Sequence, residues 1–202
     1  MHKGEKYDYM VRYSENDPLG FFENYEENLI FVREIIEKAN PKHVYDIGCG
    51  TGNLIGPLSD SMPVTGIDRS SEMLEQAMNK YPKMKMVCDD LSHWTQESVL
   101  SEGDLIVSSF VLHAIEDKKP LLDWFSKVVS SGCSIVLMDY VFKDDASKSA
   151  YIDHLVDEGK QDLADIIKSK YYMTVEAFRT WADDQRFSLT FRMLTHWIGV
   201  LK

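Results

Sequence analysis

The stretch Val44–Leu54, VYDIGCGTGNL, constrains this chain more than any other. His43 to Ile47 reads as a short, largely apolar strand. Gly48, Gly50 and Gly52 then remove the Cβ atom at alternate positions, and a helix can start from Asn53. A strand, a glycine-rich turn and a helix in that order let a backbone come close to a nucleotide-like ligand. Two better-known loops are excluded by detail. A P-loop ends in Gly-Lys-Ser/Thr, and no lysine stands here. A dinucleotide fingerprint, Gly-x-Gly-x-x-Gly, needs its last glycine where Asn53 stands, because Gly52 falls one residue early. Asp46, two residues before the turn, would repel a pyrophosphate but suits a ligand that carries an ammonium group.

A second strand, Met62 to Ile67, ends at Asp68, twenty residues after Gly48. An acid at that place in a βαβ unit accepts hydrogen bonds from ribose hydroxyls. A third strand, Met84 to Cys88, ends in Asp89-Asp90, where a carboxylate can accept from an adenine amino group. All three acids stand at strand C-termini, which line the crevice where open α/β sheets bind ligands.

With DIGCGTG in this setting, the chain resembles the class I S-adenosylmethionine-dependent methyltransferases. The resemblance runs from a Tyr13-containing segment through SSFVLHAI (108–115) to the closing strands. KYY (170–172) and the FRMLTHW tail (191–197) are most similar to small, stand-alone bacterial methyltransferases of unassigned substrate. It implies an α/β, doubly wound, Rossmann-like seven-stranded sheet. That sheet would be mostly parallel, with an antiparallel C-terminal hairpin strand and helices on both faces. It also implies S-adenosylmethionine as cofactor and methyl transfer to a small molecule. Asp46, Gly48, Cys49, Gly50, Asn53 and Ser109 would surround the methionine part, Asp68 the ribose, and Asp89, Asp90, Leu91 and Arg69 the adenine. Arg69 can stack on the ring or form a plain surface ion pair.

At 202 residues the chain is expected to form one domain, with 1–40 as N-terminal lid and helix and 41–140 as cofactor-binding core. A helical cap insertion, 141–173, and a closing helix and hairpin, 174–202, complete it. Twenty-two basic residues against 33 acidic ones give −11, with no basic stripe, which argues against nucleic acid as partner. Three scattered cysteines, Cys49, Cys88 and Cys133, have no metal-ligand spacing and suit a reducing setting. MHKGEKYDYM has no apolar signal core and no run approaches a membrane span, so a cytoplasmic protein with no membrane or metal partner is expected. Monomer and homodimer both stay open.

Several residues carry two readings. Cys49 is either a nucleophile or a small filler at a tight turn, and no base stands beside it in the sequence. Tyr13 and Tyr25, on a segment whose apolar spacing predicts a helix over 21–39, either cover the cofactor and substrate or pack that helix on the sheet. His113 either orients the acceptor and takes its proton, or bonds a neighbouring backbone at a helix end. Asp139 and Tyr140 leave the run 133–138 at the ligand edge, as a base and a substrate contact or as a simple turn. Tyr172 ends the insertion and faces either the acceptor or the core, and His196 reads first as a hairpin residue. Two rivals to methyl transfer remain: a non-catalytic sensor of S-adenosylmethionine or S-adenosylhomocysteine (SAH), and an NAD(P)-dependent oxidoreductase.

Overall fold

The structure, a computed structural model, describes Asp8 and residues 25–184, 189–191 and 199–201. Helix α1 (Tyr25–Ala39) leads into strand β1 (Val44–Ile47), followed by β2 (Val64–Asp68), α2 (Ser71–Lys80), β3 (Lys85–Cys88) and α3 (Leu91–Glu97). Then come β4 (Leu105–Ser109), α4 (Lys119–Ser130) and β5 (Ser134–Met138). These five strands form one parallel sheet in the order β3-β2-β1-β4-β5. The order reverses between β1 and β4, and such a reversal opens a crevice beyond the strands' C-terminal ends.

Side-chain alternation sorts the strands onto two cores. Val44, Leu105, Val107, Val136 and Met138 join Leu29, Val32 and Ile36 of α1 and Leu74 of α2 on one face. Ile47, Ile106, Ile135 and Leu137 meet Leu121, Phe125 and Val128 of α4 on the other. Burying each such aliphatic or aromatic side chain contributes roughly 1.5–3 kcal/mol, which is why the central strands read as nearly unbroken apolar runs. Asp46 shares the face of Val44 and is fully buried beneath α1.

The insertion consists of α5 (Asp145–Asp157) and α6 (Gln161–Lys168), parted at Gly159, whose φ is +74°. It has a small core of its own, with Phe142, Ile152, Leu155, Ala164 and Ile167. A short parallel ladder that the sequence reading lacked ties its two ends: β6 (Val141–Phe142) pairs with β7 (Met173–Thr174). Helix α7 (Val175–Asp184) follows, with Thr174 Oγ1 accepting from the Ala177 N–H at 3.1 Å. Strands β8 (Leu189–Phe191) and β9 (Gly199–Leu201) pair antiparallel.

One expectation changes. The main sheet holds five strands rather than seven: β9 runs beside β5, but among the described residues the β8–β9 pair shares no ladder with it. Helix α3 begins at Leu91, because the Asp90 side chain accepts the Ser92 N–H at 2.9 Å and caps the helix there. No helix among the described residues is long and apolar enough to cross a membrane, and none of their His, Cys, Asp and Glu side chains group as metal ligands. Tyr13, His196 and Trp197 lie outside the described residues.

Candidate active site

The register of the sheet aligns the carboxylates. Asp46 pairs with Gly66 across β1–β2, and Asp68 pairs with Cys88 across β2–β3, so Asp89 stands one residue beyond. Asp46, Asp68 and Asp89 thus occupy the ends of three adjacent strands.

The glycine turn folds over these ends. Gly48, Gly50 and Gly52 all have left-handed φ values, 78°, 53° and 76°. Gly48 and Cys49 donate to the Ile67 carbonyl at 2.8 and 3.1 Å, locking the turn to β2. A Cβ on Gly48 would lie 2.2 Å from Val111 Cγ2, whereas one on Gly50 would meet nothing within 4 Å. The turn is therefore closed on the Val111 side and open beside Gly50.

Asp68 braces this turn from below. Its Oδ2 accepts the Gly50 N–H at 2.9 Å and its Oδ1 accepts the Ser70 N–H at 2.8 Å. Asp46 is different: both oxygens are buried without a hydrogen-bond partner among the described residues. Burial first, and the Asp68 charge second, push its carboxyl up to about 8. A buried carboxylate with no donor is costly, and a cationic ligand group is the partner that would offset that cost. Cys49 is buried, and burial raises its thiol well above the usual range, with Asp46 and Asp68 adding to the effect. It is a filler beneath the turn, close enough to Gly66 that a Cβ there would lie 2.6 Å from its Sγ.

Asn53 is engaged in a cluster absent from the sequence reading. Its amide nitrogen donates to Asp8 Oδ1 at 3.0 Å and to the Tyr25 hydroxyl at 3.4 Å, and its oxygen accepts from Lys80 at 2.7 Å. Asp8 also accepts from Thr51 Oγ1 at 2.6 Å and pairs with Lys80 at 2.7 Å. Burial opposes the ionisation of Asp8, yet Lys80, Thr51 and Asn53 together hold its carboxyl below the usual range. Asn53 is thus tied into the attachment of the N-terminal segment, with both ends of its amide occupied.

At the β3 end, Asp89 accepts from His93 Nδ1 at 2.9 Å and from the Asp90 N–H at 2.8 Å. Asp90 is exposed and serves as the cap of α3, Arg69 is exposed, and half-buried Leu91 packs on the second core. Ser109 is half-buried at the end of β4, where neighbouring Ser108 donates to the Ile47 carbonyl at 3.0 Å.

Across the crevice lies an aromatic wall. Phe110 has φ +58°, a conformation that L residues rarely adopt, and strain of this sort concentrates at functional sites. It places its ring 5.9 Å from Tyr25 and 4.8 Å from Tyr140. His113 follows. Asp139 Oδ2 accepts the His113 backbone N–H at 3.0 Å, and Asp139 Oδ1 lies 2.6 Å from His113 Nδ1. The same Oδ1 accepts the Tyr140 N–H at 2.6 Å, so Asp139 acts as an acceptor throughout and Nδ1 carries the proton. In the neutral ring Nε2 then holds the lone pair, and it has no hydrogen-bond partner among the described residues. Tyr172 stacks on the imidazole at 5.5 Å and 14°, and burial pushes its phenol up, with the Asp139 charge reinforcing this. His113, Asp139, Tyr140 and Tyr172 come together; Tyr25 reaches the same wall through Phe110. Of the residues at this site, Asp8 and Lys80 had no site role in the sequence reading, and Thr51 and Phe110 entered it only as members of DIGCGTG and SSFVLHAI.

Residues 44–132 match the family described as "Methyltransferase domain". An uncharacterized methyltransferase of Bacillus pumilus is 27% identical over 190 residues, covering 91% of this chain and 88% of the relative. Magnesium protoporphyrin IX methyltransferase of Synechocystis PCC 6803, solved with bound SAH, superposes with a TM-score of 0.62 at 17% identity, covering 88% of this chain and 82% of that one. The plantazolicin methyltransferase BamL, in complex with a triazolic desmethylPZN analog and SAH, gives 0.61 at 17% identity, covering 89% and 70%.

Proposed function

We infer that this chain is a class I S-adenosylmethionine-dependent methyltransferase. The observation that carries the reading is Asp46: a buried carboxylate with both oxygens unpartnered, beside a glycine turn that is open at Gly50. A cofactor with an ammonium group fits that vacancy of donors, whereas a dinucleotide phosphate would meet a like charge. S-adenosylmethionine supplies a methyl group already activated by a sulfonium.

The chain's own residues then have to hold, orient and deprotonate. Asp46 takes the ammonium, and Gly48, Cys49, Gly50, Asn53 and Ser109 shape the methionine end. Asp68 takes the ribose hydroxyls, and Asp89 accepts from the adenine, with Asp90, Leu91 and Arg69 around the ring. Tyr25, Phe110, Tyr140 and Tyr172 give the acceptor an aromatic wall. His113 presents Nε2 to that wall as the base, positioned by Asp139; alignment of this kind can supply about 7–11 kcal/mol. A small-molecule acceptor fits, since one methyltransferase of similar fold is named for a porphyrin and another for plantazolicin. The chain works as one cytoplasmic domain, with 141–173 capping the acceptor.

Calorimetric titration with SAH tests this. Wild-type protein should bind it, and Asp68→Asn should weaken binding at least about tenfold, roughly 1.4 kcal/mol. Equal affinity in both would refute the ribose assignment, and binding of NAD(P) in place of SAH would refute the family reading.

A further inference from the structure

Several lysines of this structure pair with acidic side chains. Lys83 meets Asp60, Lys119 meets Asp123, Lys160 meets Glu158 and Lys168 meets Asp165. Lys118 and Lys148 are arranged differently. Lys118 is half-buried, its Nζ donates to the Ile115 carbonyl at 2.6 Å, and it lies 5.8 Å from the centre of the Tyr171 ring. Lys148, also half-buried, donates to the Lys170 carbonyl at 3.3 Å and lies 5.5 Å from the centre of the Tyr172 ring. Neither has a carboxylate within ion-pair distance among the described residues. Both rings belong to the His113 environment: Tyr171 donates its N–H to the His113 carbonyl at 2.9 Å, and Tyr172 stacks on the imidazole.

The two ammonium groups lie over the rings of consecutive residues, Tyr171 and Tyr172. Burial lowers the Lys118 ammonium, Asp139 counters that, and Lys148 adds to it. Asp139 is committed elsewhere, to His113 and two backbone N–H groups. In a chain of net charge −11, two half-buried cations with no ion-pair partner among the described residues stand out against the overall negative field. Lys118 precedes α4 and Lys148 belongs to α5 of the insertion.

We propose that the acceptor is an anion: a small molecule whose carboxylate is held by Lys118 and Lys148 while its own hydroxyl or thiol faces His113. The inference rests on the methyltransferase reading above. Held this way, the acceptor's heteroatom forms a bond to the methyl carbon and gives its proton to His113 Nε2. The donor's carbon–sulfur bond breaks, leaving a neutral thioether. The imidazolium that results is paired with Asp139, so charge and atoms balance. Lys118 and Lys148 are binding residues in this scheme. They orient the acceptor through a group that does not react, and that is where specificity for charged over neutral molecules arises.

The test uses the intact chain saturated with SAH, so that binding is read without turnover. Matched pairs of equal shape are titrated by calorimetry: 4-hydroxybenzoate against 4-hydroxybenzamide, and 3-mercaptopropionate against 3-mercaptopropionamide. At least one carboxylate should bind at least tenfold more tightly than its amide. Lys148→Gln and Lys118→Gln should each remove most of that preference while SAH affinity stays as in wild type. Lys143→Gln, an exposed lysine outside the cluster, should leave the preference intact. If no carboxylate outbinds its amide, or if the preference survives both substitutions, the anionic acceptor is refuted. Failure of SAH itself to bind would overturn the methyltransferase reading instead.

Discussion

Replacing Asp46 by asparagine separates what this residue does for the fold from what it does for the ligand. In the folded chain its carboxyl keeps a proton up to about pH 8, against an ordinary value of 3.8. Between those two values the folded state binds more protons than the unfolded one. Stability is therefore highest below the lower value and falls as pH rises, by at most about 1.4 kcal/mol per unit, until the carboxyl ionises near 8. Asp46→Asn has no such proton. Its stability relative to wild type should rise from pH 5 to pH 8 and level off beyond, as read from urea unfolding at pH 5, 6.5, 8 and 9. Ligand binding should move the other way. An ammonium group needs the ionised carboxylate, so below about pH 8, where the Asp46 carboxyl holds its proton, binding must expel that proton. SAH affinity of the wild type should climb about tenfold per unit between pH 6 and pH 7.5, with close to one proton released in paired-buffer calorimetry. The asparagine variant should bind at least about tenfold more weakly at pH 7.5, the value of one charge-assisted hydrogen bond of roughly 1.5–3 kcal/mol, and without that climb. A stability difference that is flat with pH, or an unchanged SAH affinity in the variant, refutes the assignment of Asp46 as the ammonium partner.

Asp8→Ala should lower stability at pH 7 by about 1–3 kcal/mol, since Thr51, Asn53 and Lys80 lose their shared acceptor. Because the Asp8 carboxyl is held low, this contribution is present above its ordinary value of 3.8 and disappears as pH falls below it, so acid unfolding curves of variant and wild type should converge. Gly48→Ala, at φ +78° with Val111 in the way, should cost more than about 1 kcal/mol in urea unfolding, whereas Gly50→Ala, with open space at its Cβ, should cost less. Asp139→Asn should change the His113 tautomer, so that nitrogen-15 spectra no longer show Nδ1 as the protonated nitrogen; an unaltered tautomer would refute the positioning role.

How much was legible in the chain follows from how local each signal is. The glycine turn, the acids at 46, 68 and 89 and the helices of the insertion each arise within a few residues, where periodicity and turn chemistry operate. The pairing of His113 with Asp139 was open, because both were candidates but nothing local joins residues 26 apart. Asp8 and Lys80 are 72 apart, and neither stands in a motif. Asn53 follows the turn, but nothing local shows that Asp8, Tyr25 and Lys80 meet its amide. Asp90 follows a strand, and its second task of capping α3 depends on where that helix starts. Phe110 carries no mark at all of its left-handed backbone, which the Met138 carbonyl accepting its N–H at 2.8 Å helps to fix.

The ladder between Val141–Phe142 and Met173–Thr174 brings the two ends of the insertion side by side. The thirty-odd residues between them are a closed loop hung from a fixed clasp, and lengthening such a loop costs only about 0.6 kcal/mol per doubling. Their sequence can therefore diverge with little strain on the sheet or on the three carboxylates at its edge. On the proposed reading, the insertion can vary its share of the acceptor site without disturbing the grip on the methyl donor.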